Sequence, residues 1–151
     1  MTDTRVRVTM MLCDHAQVAD GKLFISGGGW SVVGTPTPLS AIALLLRVPW
    51  TMANHETQFK LRLVAADGAA VTQPSFTDEP QPVEIAGTFE VGRPPGLAPG
   101  SLLDLPLAVR VPRLVLQPGR YVWELSVGNE THEDWQLSFQ ARSANQPNSA
   151  G

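Results

Sequence analysis

Residues 116–141 read LQPGRYVWELSVGNETHEDWQLSFQA, and this stretch decides the fold class. Apolar side chains occupy every second position, Tyr121, Trp123, Leu125 and Val127, then Trp135, Leu137, Phe139 and Ala141. A period of two turns one face of an extended strand inward, whereas a helix needs apolar spacings of three and four. GNETHED joins the two runs, and so short and polar a join makes them an antiparallel hairpin.

The alternation continues toward the N-terminus. Leu105, Leu107, Val109 and Val111 form one run, and Val83, Ile85, Phe89 and Val91 another, in which Gly87 marks a bulge or a close backbone approach. Phe59, Leu61 and Leu63 alternate with Gln58, Lys60 and Arg62, so that strand has one wet face. AIALLLRV, residues 41–48, is the longest apolar run. It contains Arg47 and falls far short of the ~20 residues of a membrane helix, so it reads as a buried strand. Val6, Val8, Met10 and Leu12 open the chain, and both faces turn apolar at Met11 and Cys13, where that strand is expected to end in the interior. Ala19-Asp20-Gly21 supplies turn chemistry for a hairpin into KLFISGGGWS. WTMANHE, residues 50–56, is the one helical turn expected, and AVTQPSF, residues 70–76, a short edge strand.

Eight or nine such strands predict an all-β fold, two antiparallel sheets packed face to face around one core. Residues 1–142 form this single domain, and residues 143–151 a polar flexible tail. Tyr121 follows Pro118-Gly119 at the start of the penultimate strand, as in the tyrosine corner of immunoglobulin-like and fibronectin-like sandwiches. Its hydroxyl is expected to bond backbone a few residues upstream, and Trp123 to fill the core.

Composition agrees and excludes several functions. Hydrophobic residues make up 43% and charged residues 17%, with 13 Gly and 13 Pro, a mixture suited to many short strands and tight turns. A net charge of -3, with cations scattered apart from Arg5 and Arg7, argues against nucleic-acid binding. The single cysteine, Cys13, cannot form an internal disulfide, and MTDTRVRVTMMLCD has none of the regions of a secretory signal, so a cytoplasmic location is expected.

Gly27-Gly28-Gly29 invites a phosphate-loop reading and fails it. No lysine follows, and the Gly34-Thr35-Pro36 breaker leaves no room for a helix whose amides would face an anion. Backbone crowding or a bulge, with Trp30 filling the space beside bare backbone, is the expectation. Cys13-Asp14-His15 contains thiol, acid and base, but neighbours on a strand point to opposite faces, so no catalytic set is expected. Cys13 reads as a small buried hydrophobe and Asp14 as an acceptor of backbone amides in a turn leading to Gln17. His132-Glu133-Asp134 reads as a polar hairpin loop, Asp78-Glu79 as solvated charges, and no metal-ligand spacing or cofactor motif is present.

The blocks CDHAQVADGKLFISGGGW, VPWTMANHETQFKLRLVAADG, FEVGRPPGL and LQPGRYVWEL resemble a family of small bacterial, mainly actinobacterial, domains of unknown function, across most of residues 6–140. The resemblance implies one intact domain and brings no activity. The expected role is therefore a non-enzymatic module that binds a protein partner or itself, through a sheet edge or the stiff loop containing Arg93, Pro94, Pro95, Gly96 and Leu97. The alternative is a small-ligand or carbohydrate-binding module using Trp30 or Trp50 with the backbone of Gly27, Gly28 and Gly29.

Overall fold

The computed structural model describes residues 5–74 and 79–143. The expected tail, apart from Ser143, and Asp78 lie outside these residues, as does the end of the AVTQPSF segment. Among the described residues, eleven strands and one 3-10 turn follow in chain order: β1 (Arg7–Ala19), β2 (Lys22–Gly28), β3 (Val32–Thr35), β4 (Ser40–Val48), η1 (Trp50–Met52), β5 (Thr57–Ala65), β6 (Thr72–Gln73), β7 (Gln81–Pro82), β8 (Glu84–Phe89), β9 (Leu103–Val111), β10 (Gly119–Val127) and β11 (Glu130–Ser143). The strands beyond the expected eight or nine are the short β3 and β7, whose two to four residues show no alternation.

One sheet has the order β2-β1-β4-β9 and the other β3-β11-β10-β5-β8, while β6 and β7 pair separately. All pairs are antiparallel except β3 with β11. Each period-2 run places its apolar members on the facing surfaces. Ile42, Leu44 and Leu46 of the first sheet, and Leu61, Leu63, Trp123 and Leu125 of the second, are buried in one continuous cluster. Burying a side chain of this size stabilises by roughly 1.5–3 kcal/mol, so this layer holds the two sheets together. Gly87 is the close approach anticipated: a side chain there would meet the ring of Phe59, its ladder partner, at 2.9 Å.

Two local expectations at the start of the chain need correction. β1 does not end at Cys13, and no turn runs from Asp14 to Gln17; the strand continues to Ala19. β4 pairs with β1 only as far as Cys13, while β2 pairs with the remainder up to Ala19. The second half of β1 and β2 thus form a hairpin arm beyond the main sheet. The reason is the Asp20-Gly21 turn, with φ of 54° and 69°, a two-residue reversal whose twist matches that of paired strands.

The Tyr121 hydroxyl donates to the Gln117 carbonyl at 2.6 Å. Its ring lies 5.7 Å from that of Phe139, stacked. Burial pushes the Tyr121 phenol above its ordinary value of 10.0. A group whose folded pKa is raised contributes stability that is whole below the unfolded value and is lost as pH climbs through the folded one. The fold is therefore expected to lose stability above pH 10. Tyr121→Phe is expected to lower stability at neutral pH by about 1 kcal/mol and to flatten the alkaline decline, both read from urea unfolding at a series of pH values.

Candidate functional site

The outer faces of the two sheets differ in kind. On the second sheet, β5 places Lys60 and Arg62 between carboxylates on β8 and β10. Lys60 lies 3.6 Å from Glu84, and Arg62 lies 3.2 Å from Glu124. Cross-strand ladders of opposite charge satisfy themselves and leave a wet surface. Beside them, a cleft of about 410 Å³ is lined by Glu124, Thr131, His132 and Trp135. There β11 bulges between its pairings Glu124↔Gln136 and Ser126↔Thr131. In that bulge the Asp134 amide donates to His132 Nδ1 at 3.1 Å, and the His132 ring packs at 5.9 Å from Trp135. Of the segment expected to be a hairpin loop, only Gly128 and Asn129 form the turn; Glu130 to Asp134 are strand, with His132 committed to its own backbone.

On the first sheet the outer face carries charge at one end, where Arg47 lies 3.4 Å from Asp104, and small apolar side chains at the other. Cys13, Ala41 and Ala43 point outward and are nonetheless almost inaccessible, because Ala16 and Leu23 of the arm pack over them. Cα atoms of β2 come within 8 Å of β4 and β9, strands two and three places away in the sheet. Neighbouring strands are separated by ~4.8 Å, so a flat sheet could not bring β2 to β9. The arm curls back over its own sheet.

The glycines permit the curl. Gly27 has φ of 60°, and the Asp14 side chain occupies the place where a Gly27 side chain would sit. At Gly28 an added Cβ would meet Met11 Sδ at 2.6 Å and Ile25 Cγ2 at 3.0 Å. Gly29, with φ of 91°, donates its amide to the Leu12 carbonyl at 2.8 Å. Gly27 and Gly28 sit in a crowded ladder, and Gly29 bends out of it without crowding. Trp30 follows with its ring edge-on to Phe139 at 6.4 Å, and its buried indole N–H has no hydrogen-bond partner among the described residues.

Cys13, Asp14 and His15 diverge. The Cys13 thiol is fully buried, points toward the Ala41 carbonyl at 3.5 Å, and is pushed above its ordinary 9.0 by that burial. Asp14 leans over Gly27, while His15 is exposed opposite Ser26. A nucleophile needs a base within hydrogen-bond reach and a thiol biased toward thiolate, and neither condition is met at Cys13. Among the described residues, no group of three or more His, Cys, Asp or Glu is placed to hold a metal. No helix there is long and apolar enough to cross a membrane.

Arg93 and Trp50, candidates on separate segments, are brought together. The Arg93 guanidinium lies 4.6 Å from the centre of the Trp50 ring and donates to the Trp50 carbonyl from Nε at 3.3 Å and Nη2 at 2.8 Å. Arg93 thus pins the start of its loop to η1. Beyond it, Pro94, Pro95, Gly96 and Leu97 are exposed. Arg93→Ala is expected to destabilise by about 1 kcal/mol, to increase hydrogen exchange at residues 92–101 and to shift Trp50 fluorescence, without altering the far-ultraviolet spectrum of the sheets.

What sequence reasoning passed over is the arm. Met11, Val18, Phe24 and Ile25 are large apolar side chains left 38–51% exposed on β1 and β2. The signal was present in the adjacent Leu23-Phe24-Ile25, apolar on both faces of one short strand, which leaves one face without a core to enter.

No curated protein matches the chain. A family model of a domain of unknown function, DUF6941, matches residues 8–140, which span both sheets, the arm and the Arg93 loop. The chain belongs to that family.

Proposed function

We propose that this chain is a non-enzymatic, immunoglobulin-like β-sandwich that works in the cytoplasm as an interaction module, with the curled arm as its contact surface. The observation that carries this reading is the pair Phe24 and Ile25, 51% and 41% exposed and adjacent on an edge strand. Scattered single apolar side chains are ordinary on a protein surface. Adjacent ones beside unpaired backbone mark a place where another chain docks. The Tyr121–Gln117 hydrogen bond supports the immunoglobulin-like description, and a lone buried thiol supports a reducing compartment. The non-enzymatic reading draws on the divergence of Cys13, Asp14 and His15 and on the commitment of His132 to the Asp134 amide. Trp30 and Trp50 have rings engaged by Phe139 and Arg93, which favours the protein-binding reading over a sugar platform.

The test uses the full chain as bait in a native lysate, beside a double variant, Phe24→Ser with Ile25→Ser, whose folding is checked by circular dichroism. Partners, the chain's own copies included, are expected with the wild type and not with the variant. Recovery of the same proteins by both would remove the arm from the reading.

A further inference from the structure

Resting on the interaction reading above, we propose that the occupant of the β2 edge is a second copy of this chain, paired antiparallel about a two-fold axis at Phe24. The argument begins at the turn. A two-residue reversal at Asp20-Gly21 makes its flanking residues, Ala19 and Lys22, the first hydrogen-bonded pair of the hairpin. Ladder bonds alternate, so Lys22, Phe24 and Ser26 direct their amides and carbonyls at β1. Leu23 and Ile25 direct theirs outward, at an edge where, among the described residues, β2 has no second strand neighbour.

An antiparallel pair requires outward residues to face outward residues, which restricts the axis to a residue and not to the space between two. With the axis at Phe24, Leu23 faces Ile25 of the second copy and Ile25 faces its Leu23. Each outward amide and carbonyl of these residues then has a partner. Phe24 meets Phe24 of the second copy at the closer, non-hydrogen-bonded spacing, where aromatic pairs interact best. An axis at Ile25 sets Phe24 against Ser26 and Leu23 against Gly27, and so wastes the apolar centre. Charge agrees with the first register. Lys22, the one charged residue of β2, stands opposite Ser26 of the second copy and not opposite itself.

The other edges are less suited. β9 is interrupted by Pro106, which lacks an amide donor. β3 is four residues long, and its Thr35 hydroxyl is clasped to both the amide and the carbonyl of Leu116 at 2.9 Å. Neither β8 nor β9 carries a large exposed apolar side chain. The contact is small. A strand edge with its flanking side chains lies at or below the ~1,200 Å² at which specific interfaces begin, so the dimer is a reversible one, sensitive to concentration. Symmetry makes the patch its own complement, as in most homodimers.

Sedimentation equilibrium of the full chain across a wide concentration range tests the proposal. The apparent mass is expected to rise from monomer toward dimer. Phe24→Lys and Phe24→Glu, at an exposed position, are each expected to weaken self-association by roughly tenfold or more by setting like charges face to face, and an equimolar mixture of the two to restore it. Phe24→Cys is expected to cross-link to itself under mild oxidation, while Thr88→Cys on the β8 edge is expected to form no disulfide-linked dimer. A wild type that is monomeric at every concentration would overturn the dimer, and the interaction reading would still stand if the arm captured another protein. Dimerisation unchanged by both charged variants would also overturn it.

Discussion

Trp123→Ala is expected to destabilise the fold by about 3–5 kcal/mol, the range for an aromatic truncated in a core. Trp123 is 1% exposed and central to β10, flanked in register by Leu63 on β5 and Leu137 on β11. The ring therefore joins three strands of one sheet and belongs to the same buried cluster as Leu44 and Leu46 of the other. Domains of this size are stable by roughly 5–15 kcal/mol, so the loss removes from about a fifth to all of the wild-type stability. In urea the midpoint is expected to fall with little change in slope, as for a cavity that leaves the unfolded chain alone. Thr88→Ala, on the exposed side of β8, is expected to stay within about 0.5 kcal/mol. Equal midpoints for Trp123→Ala and wild type would refute the placement of this ring at the centre of the sandwich.

Trp123 also shows why the body of the fold was legible. Burial of one sheet face imposes alternation on every strand that contributes to it, and β4, β5, β8, β9, β10 and β11 all contribute. Where that pressure ends, so does legibility. After Cys13 the chain reads Asp-His-Ala-Gln-Val, which suits a turn as well as a strand; it is strand because β2 supplies backbone partners, a long-range cause with no local mark. Apolar character on both faces at Met11 and Cys13 reads as a strand ending in the interior; the structure instead covers Cys13 with the arm and leaves Met11 exposed. That the cover would be Ala16 and Leu23 depends on a curl at Gly27, which no residue pattern encodes. Arg93 and Trp50 were each recognisable as unusual, yet they stand 43 positions apart and only the folded loop sets cation over ring.

Gly27→Val is expected to release the arm while the sandwich stays folded. Two effects act at that position. A β-branched residue at a φ of 60° is strained, and its side chain must displace Asp14, which already fills the space. Each effect costs on the order of 1–3 kcal/mol. What anchors the arm is the packing of Ala16 and Leu23 on Cys13, Ala41 and Ala43, and both covering residues are only partly buried. Even full burial of a leucine contributes roughly 1.5–3 kcal/mol, so the combined strain exceeds the anchorage and falls far short of the whole core. The arm therefore lifts before the sheets separate. Once it lifts, Cys13 loses the burial that pushes its thiol up, and a larger fraction becomes thiolate at a given pH. A thiol reagent at mildly alkaline pH is expected to label the variant at least tenfold faster than wild type, and hydrogen exchange to quicken at residues 14–28 alone. Gly29→Ala separates the two effects, since φ there is 91° but nothing lies within 4 Å of an added Cβ. With strain and no clash, labelling is expected to rise only slightly. If Cys13 in Gly27→Val reacts no faster than in wild type, the arm does not bury it.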